Sequence, residues 1–153
     1  MAFRIEEREI EGIAILDLSG RLVAGSETEA LRNVVEQLAI RNKNRLILDL
    51  KEVPFIDSSG LGALVSAHSL FENAGGAMKL LHLSKRNVQL LVLTKLATVF
   101  QTFDDEQAAI DSFFPDRDGR KFDILEFVRS QEGEPEQSGT ELSPEDDSTK
   151  NKT

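Results

Sequence analysis

The fold is best inferred from residues 46–62, which read LILDLKEVPFIDSSGLG. The opening run of this stretch, LILDL, is nearly continuously apolar, which is typical of a central strand covered on both faces. Pro54 then indicates a loop. Asp57 and Ser58 are residue types that favour a helix N-terminus, so a helix should follow the loop. The stretch therefore predicts a buried strand, a loop and a helix in succession, as in an α/β fold.

Two strands are expected before this unit. Residues 3–6 alternate apolar and charged side chains, as a half-buried strand does, and residues 13–18 form a more continuous apolar run. Glu11 and Gly12 lie between the two runs and favour a turn. We therefore expect the domain to open with an antiparallel hairpin.

Two amphipathic helices are also expected. Ser26 and Glu29 have the spacing of a capping box, so the first helix should begin at Ser26. Gly75 and Gly76 should end the second helix, which begins near Ser58. The apolar side chains at helical spacing are Leu31, Val34, Val35 and Leu38 in the first helix, and Leu61, Leu64, Val65 and Phe71 in the second.

Shorter elements complete the pattern. Asp104 should cap a last helix that continues to Phe113. The elements expected before it are a strand at residues 78–83, a short helix around residues 87–93 and a brief strand near residues 98–103. The sequence thus predicts one α/β domain at residues 1–114, in which about four helices pack on a mixed β-sheet of roughly four to five strands.

The residues after this domain fall into two segments. Residues 115–130 form an extension whose apolar side chains fit a short helix or a strand equally well, and it could dock on the domain or on a partner. Residues 131–153 hold seven acidic residues, two lysines and one large apolar residue, Leu142. Such a segment cannot bury enough apolar surface to offset the entropy lost on ordering, so we expect a disordered acidic tail.

The composition excludes several classes of protein. The chain has no cysteine and only two histidines, which excludes disulfides, thiolate catalysis and cysteine-based metal sites. Acidic residues outnumber basic ones by 27 to 18, which argues against direct nucleic-acid binding. No apolar run is long enough to span a bilayer, and the first residues are charged where a secretory signal would be apolar. We therefore expect a soluble, cytoplasmic protein.

No catalytic motif emerges from the sequence. The third glycine of a dinucleotide-binding loop would fall at Val65, and Ser58 lacks the preceding glycine that a nucleophile elbow needs. His68 would lie about 15 Å from Ser58 along the same helix, too far to act as its base, and fits a packed histidine better. His82 falls on a predicted strand, where a metal-ligand role has little support. We expect a protein that is not an enzyme and has no cofactor or metal.

Residues 57–62 (DSSGLG) are the most informative segment for function. They follow the carboxyl end of a buried strand, where open α/β sheets place their ligands. One interpretation is structural, because Asp and Ser cap helices and small residues let the helix start close to the sheet. The other is that the two glycines leave Ser58 approachable. A phosphoryl group there would be stabilised by the helix N-terminus and opposed by Asp57.

Five segments of the chain follow one another in a specific order. They are LSGRL at residues 18–22, LILDL at 46–50, FIDSSGLG at 55–62, NAGG with the following AMKL at 73–80, and LATVF at 96–100. In this combination the chain resembles a STAS domain, the fold of bacterial anti-sigma factor antagonists, over residues 3–113.

The resemblance implies a regulator that works by partner switching. In that family, an anti-sigma factor that is also an ATP-dependent serine kinase phosphorylates a serine, and a metal-dependent serine phosphatase restores it. The unphosphorylated antagonist binds the anti-sigma factor and frees the sigma factor. The phosphoacceptor corresponds to Ser58, and ATP and magnesium belong to the kinase. The partner-binding loop around it corresponds to Asp57, Ser59, Gly60, Leu61 and Gly62.

Two features depart from the family pattern. Members often carry an acidic residue directly after the Gly-x-Leu of the second strand, where this chain has Val23, and the acidic tail is the second departure. The sequence leaves open a STAS binding or scaffold subunit, in a transporter or a signalling complex, that works without phosphorylation. It also leaves open the oligomeric state and the identity of the kinase, the phosphatase and any sigma factor.

Overall fold

The computed structural model describes residues 2–117, residue 124 and residues 127–129. Residues 2–117 contain five strands and four helices. The strands are β1 (Arg4–Ile10), β2 (Ile13–Ser19), β3 (Arg45–Glu52), β4 (Ala77–Leu81) and β5 (Gln101–Phe103), and the helices are α1 (Ser26–Ile40), α2 (Ser58–Asn73), α3 (Lys85–Leu93) and α4 (Glu106–Asp111).

The strands form one mixed sheet in the order β1-β2-β3-β4-β5. β1 and β2 are antiparallel, with Ile10 opposite Ile13, and the turn between them places Glu11 at φ 53° and Gly12 at φ 82°. The pairings β2–β3, β3–β4 and β4–β5 are all parallel. The predicted mixed sheet, its numbers of strands and helices, and its opening hairpin are therefore confirmed.

β3 is buried on both faces of the sheet, as its apolar run predicts. Ile47 belongs to a buried cluster with Ile15 of β2 and Phe103 of β5, and Ile110 of α4 packs into the same cluster. Leu48 points to the opposite face and is fully buried there. On the helical side, α1 packs on α2, and α2 packs on β4. The loop after β3 therefore starts from a strand that is fixed on both sides.

The start of α1 differs from the predicted capping box. Ser26 is the first helical residue, and the N-cap is Gly25, with φ 114°, ψ −143° and no side-chain cap hydrogen bond. This backbone conformation is open to glycine and strained for other residues, so the glycine occupies the turn before the helix. The hydroxyl of Thr28 donates to the carbonyl of Gly25 at 3.2 Å. The predicted apolar stripe is confirmed: Leu31, Val35 and Leu38 are buried and Val34 is half-buried.

The elements after α2 have the predicted type and order, but two of their ends were predicted wrongly. β4 ends at Leu81 rather than at residue 83, because His82 adopts φ 62°, outside the strand region. α3 begins at Lys85 rather than at residue 87. The reason is that the Ser84 hydroxyl caps the helix by accepting the N–H of Asn87 at 3.1 Å.

Two predictions for the end of the domain were also wrong. β5 is shorter than the predicted strand, because the chain turns at residues 97–99 and pairing begins only at Gln101. α4 is capped by Asp105, not by Asp104 as predicted. The Asp105 carboxylate accepts the N–H of Ala108 at 2.9 Å, which satisfies a free donor in the first turn.

The structure separates into two units, residues 1–122 and residues 123–153. In the second unit, Ile124 and residues 127–129 are helical. The predicted disordered tail at residues 131–153 lies outside the described residues. Within the described ranges, no helix has the length and apolar character needed to cross a membrane.

Candidate functional site

The predicted helix start is confirmed at Ser58. α2 begins at this residue, and its N-cap is Asp57, whose backbone is extended at φ −94° and ψ −174°. The Ser58 side chain is exposed, and its hydroxyl makes no hydrogen bond with the part of the chain that the structure describes. The hydroxyl therefore faces solvent at the positive end of a helix of 16 residues.

Asp57 connects the start of α2 to the loop after β2. One carboxylate oxygen accepts the N–H of Gly60 at 2.8 Å, and the other accepts the N–H of Ala24 at 3.0 Å. The hydrogen bond from Gly60, followed by that from Ala24, lowers the pKa of the Asp57 carboxyl below its ordinary value. Asp57 is therefore ionised at neutral pH, and each of its oxygens already has a backbone partner.

Position 60 requires a glycine because the backbone of Leu22 lies very close to it. A Cβ atom at this position would lie 2.2 Å from the carbonyl oxygen of Leu22. That oxygen also accepts the N–H of Asp57 at 3.2 Å, and the Leu22 N–H donates to Phe55 at 3.0 Å. A parallel bridge pairs Leu22 with Ile56. The missing side chain at Gly60 thus lets α2 start against the segment after β2, which supports the structural interpretation of this glycine.

The rest of the predicted partner-binding loop divides into inward and outward positions. Leu61 is only 7% exposed, and Gly60 is buried as well. Ser59 and Gly62 are half-exposed, and a Cβ atom at Gly62 would meet no atom within 4 Å. The outer surface of the helix start is therefore formed by Ser58, Ser59 and Gly62, while the two buried residues anchor the helix.

Val23 lies in the segment that faces the helix start. Its neighbours Leu22 and Ala24 both hydrogen-bond to Asp57 through the backbone, and Val23 itself is half-buried. An apolar side chain thus occupies the position at which the family resemblance implies a carboxylate.

The two histidines have contacts of their own. The His68 ring lies 5.5 Å from the Phe100 ring in an edge-on arrangement, and its buried Nδ1 has no hydrogen-bond partner among the described residues. His82 Nδ1 lies 3.1 Å from Asp49 Oδ1. His68 is therefore packed, as the sequence predicts. The residues that the structure describes contain no group of three or more His, Asp or Glu side chains that could hold a metal ion.

Sequence reasoning missed a cationic feature beside the helix start. The guanidinium groups of Arg21 and Arg86 lie over the ring of Phe55, at 5.1 and 4.5 Å from its centroid. The parallel sheet brings together the loop after β2, the loop after β3 and the start of α3. No local spacing in the sequence connects the two arginines, so no sequence signal could have paired them.

A model of the STAS domain family matches residues 4–109. The chain belongs to this family. The matched range spans all five strands of this STAS domain, the loop after β2 and the helix start at Ser58. The family resemblance carried by the DSSGLG motif and its flanking segments is therefore confirmed.

Relatives of this STAS domain are similar in sequence and in fold. The anti-sigma F factor antagonist of Paenibacillus polymyxa is 28% identical over 110 residues, which are 72% of this chain and 94% of that protein. An anti-sigma factor antagonist from Mycobacterium paratuberculosis has a TM-score of 0.64 at 18% identity, over 73% of this chain and 94% of the other.

The fold is also that of SpoIIAA of Bacillus, whose structure is known in two states. The unphosphorylated anti-sigma factor antagonist has a TM-score of 0.57 at 23% identity, over 72% of this chain and 96% of the other. The phosphorylated form has a TM-score of 0.57 at 22% identity, over 72% of this chain and 98% of the other. The two states of SpoIIAA thus resemble this STAS domain equally in backbone.

Proposed function

We propose that this STAS domain is an anti-sigma factor antagonist, a non-catalytic regulator that switches partners under the control of phosphorylation at Ser58. The observation that carries the proposal is the state of the Ser58 hydroxyl, which is exposed and unbonded within the described residues at the first position of α2. A kinase must reach the acceptor oxygen, and the fold must accommodate the product. An exposed serine at a helix start meets both requirements.

The charges around Ser58 explain how one phosphoryl group would change the surface. The positive end of the α2 dipole stabilises an anion, typically by about 0.3–1 kcal/mol at an exposed site. The adjacent Asp57 carboxylate opposes the anion, and its hydrogen bonds to Gly60 and Ala24 keep it in place. Phosphorylation would add about −1.5 to −2 charges next to it. A partner packed on this surface would then meet concentrated negative charge.

The proposed partners follow from the family. An anti-sigma factor with serine kinase activity would bind the unmodified protein in the cytoplasm and phosphorylate Ser58 with its own ATP, and a serine phosphatase would remove the phosphate. The name of the Paenibacillus polymyxa relative supports the antagonist role. The two described states of SpoIIAA, unphosphorylated and phosphorylated, support control by phosphorylation.

The experiment that tests this proposal uses the full chain and the kinase captured from native cells by the unmodified protein. Phosphopeptide mass spectrometry should place the phosphoryl group on Ser58, and Ser58→Ala should abolish its incorporation. Ser69→Ala is the matched control, because this exposed serine lies on α2 outside the predicted partner-binding loop and should leave phosphorylation unchanged. Phosphate carried by another residue in both variants would contradict the proposal.

A further inference from the structure

An open groove of about 780 Å³ lies at the edge of the sheet where β2 and β3 end. Its walls come from the end of β2, the end of β3, the start of β1 and the N-cap of α3. Val53 and Pro54 give it an apolar part. Its charged lining residues are Arg4, Arg21, Lys51 and Glu52, and we call this feature the basic groove.

The charge of the basic groove is opposite to that of the whole molecule. The chain carries a formal net charge of −9, yet three cations and one carboxylate line the groove. Arg4 is already paired, with its guanidinium 3.0 Å from Glu6 Oε2. Among the described residues, Arg21 and Lys51 are exposed and have no carboxylate within ion-pair distance. A local positive field therefore stands on an otherwise acidic protein.

Phe55 brings a second exposed arginine close to Arg21 of this groove. The guanidinium of Arg86, in the first turn of α3, lies 4.5 Å from the Phe55 ring centroid, and that of Arg21 lies 5.1 Å from the same centroid. Arg86 is exposed and has no ion pair within the described ranges. When a guanidinium lies over an aromatic ring, the N–H donors at the edge of the guanidinium stay free. They can donate two parallel hydrogen bonds to a carboxylate.

The basic groove lies beside the segment that leads to Ser58, since the positive charge of Arg21 adds to the hydrogen bonds from Gly60 and Ala24 that lower the pKa of Asp57. Phe55 lies three residues before Ser58, and its carbonyl oxygen accepts the N–H of Leu22 at 3.0 Å. Arg21 immediately precedes Leu22, which pairs with Ile56 in a parallel bridge. The segment that contains Arg21 is therefore held beside the segment that leads into α2. A partner that covers the helix start and extends along residues 55–57 would therefore meet Arg21 as well.

We infer that the basic groove is the docking site for an acidic segment of the protein partner that binds at Ser58. The identity of that partner rests on the proposed function. An extended peptide fits better than a small anion, because the cations come from four separate segments and the groove is wide and partly apolar. The same placement gives the phosphoryl group a second effect. A dianion on Ser58 would repel the docked acidic segment.

A peptide-binding measurement tests the inference. The probe is a fluorescein-labelled hexaglutamate peptide, titrated with the full chain at low ionic strength and followed by fluorescence anisotropy. We expect the peptide to bind although the protein is acidic overall, and physiological salt to weaken the complex. The double substitution Arg21→Gln with Arg86→Gln should weaken binding by at least about tenfold. Arg32→Gln is the matched control, since Arg32 is an exposed arginine on α1 outside the groove, and it should change binding less than about twofold.

Two results would overturn the inference. One is an affinity that the double substitution leaves unchanged or that Arg32→Gln lowers equally. The other is displacement of the peptide by inorganic phosphate at matched ionic strength, which would indicate a small-anion site. Circular dichroism must show the native fold in each variant. Peptide binding to the unmodified protein does not require phosphorylation of Ser58. Failure of this inference can therefore be distinguished from failure of the proposed function.

Discussion

The carboxylate of Asp57 accepts the backbone N–H of Ala24 at 3.0 Å, across 33 residues of sequence. The same side chain caps α2 by accepting the N–H of Gly60 at 2.8 Å. One carboxylate thus fixes the first turn of the helix to the loop after β2. Because Ser58 directly follows Asp57, the position of the proposed phosphorylation site depends on this pair of hydrogen bonds.

Replacing Asp57 should lower the stability of the domain in graded steps. Asp57→Ala removes both hydrogen bonds and should lower the melting temperature by several degrees. Asp57→Asn should lower the melting temperature less, because asparagine caps helices about as well as aspartate. Some loss should remain, since the amide has one acceptor oxygen and its N–H₂ group cannot accept the second backbone N–H. Thermal unfolding followed by circular dichroism measures both. Asp104→Ala is the control, since this exposed aspartate caps no helix, and a loss equal to that of Asp57→Ala would refute the role assigned to Asp57.

The lowered pKa of Asp57 makes its contribution to stability dependent on pH. The folded pKa lies below the ordinary value of 3.8, so the stabilisation is complete above that value and is lost as the pH falls through the folded pKa. The free energy of unfolding of the wild-type chain should exceed that of Asp57→Asn by a constant amount above about pH 5, and the difference should shrink below about pH 4. Urea denaturation across this range measures it. A difference that grows on acidification would contradict the assignment.

The two glycines at the helix start should respond oppositely to alanine. Gly60→Ala places a Cβ atom 2.2 Å from the Leu22 carbonyl oxygen and should destabilise the domain by roughly 1–3 kcal/mol. Gly62→Ala meets no atom within 4 Å and should stabilise α2 by up to about 1 kcal/mol through helix propensity. Equilibrium unfolding in urea compares the pair. If both substitutions had the same effect, the close approach at Leu22 would not be what requires glycine.

Features set by neighbouring residues could be predicted from the sequence. The buried β3 and the helix start at Asp57 and Ser58 follow from runs of adjacent side chains, and both are confirmed. The same local logic failed at Ser26, where the capping-box pattern is present but Gly25 occupies the cap position. The path of the loop after β2 decides which residue caps α1, and the spacing of Ser26 and Glu29 in the sequence does not predict that path.

Features that depend on distant segments could not be predicted. The reason for Gly60 is the Leu22 carbonyl oxygen, and the second partner of Asp57 is Ala24, both in the loop after β2. The two arginines over Phe55 meet only because the parallel strands end at one edge of the sheet. The sequence therefore identified the candidate serine, whereas the contacts that position it required the structure.

Control of partner binding by phosphorylation at Ser58 is best tested by measuring the affinity of the captured anti-sigma factor for this STAS domain. Isothermal titration calorimetry would compare the chain phosphorylated at Ser58, the same sample after phosphatase treatment, and Ser58→Ala as a control that cannot be modified. We expect phosphorylation to weaken binding by at least about tenfold, since like charges would face each other across a desolvated interface, and the other two samples to bind alike. Equal affinities for the phosphorylated and dephosphorylated chains would contradict this expectation and would instead favour a binding subunit that works without phosphorylation.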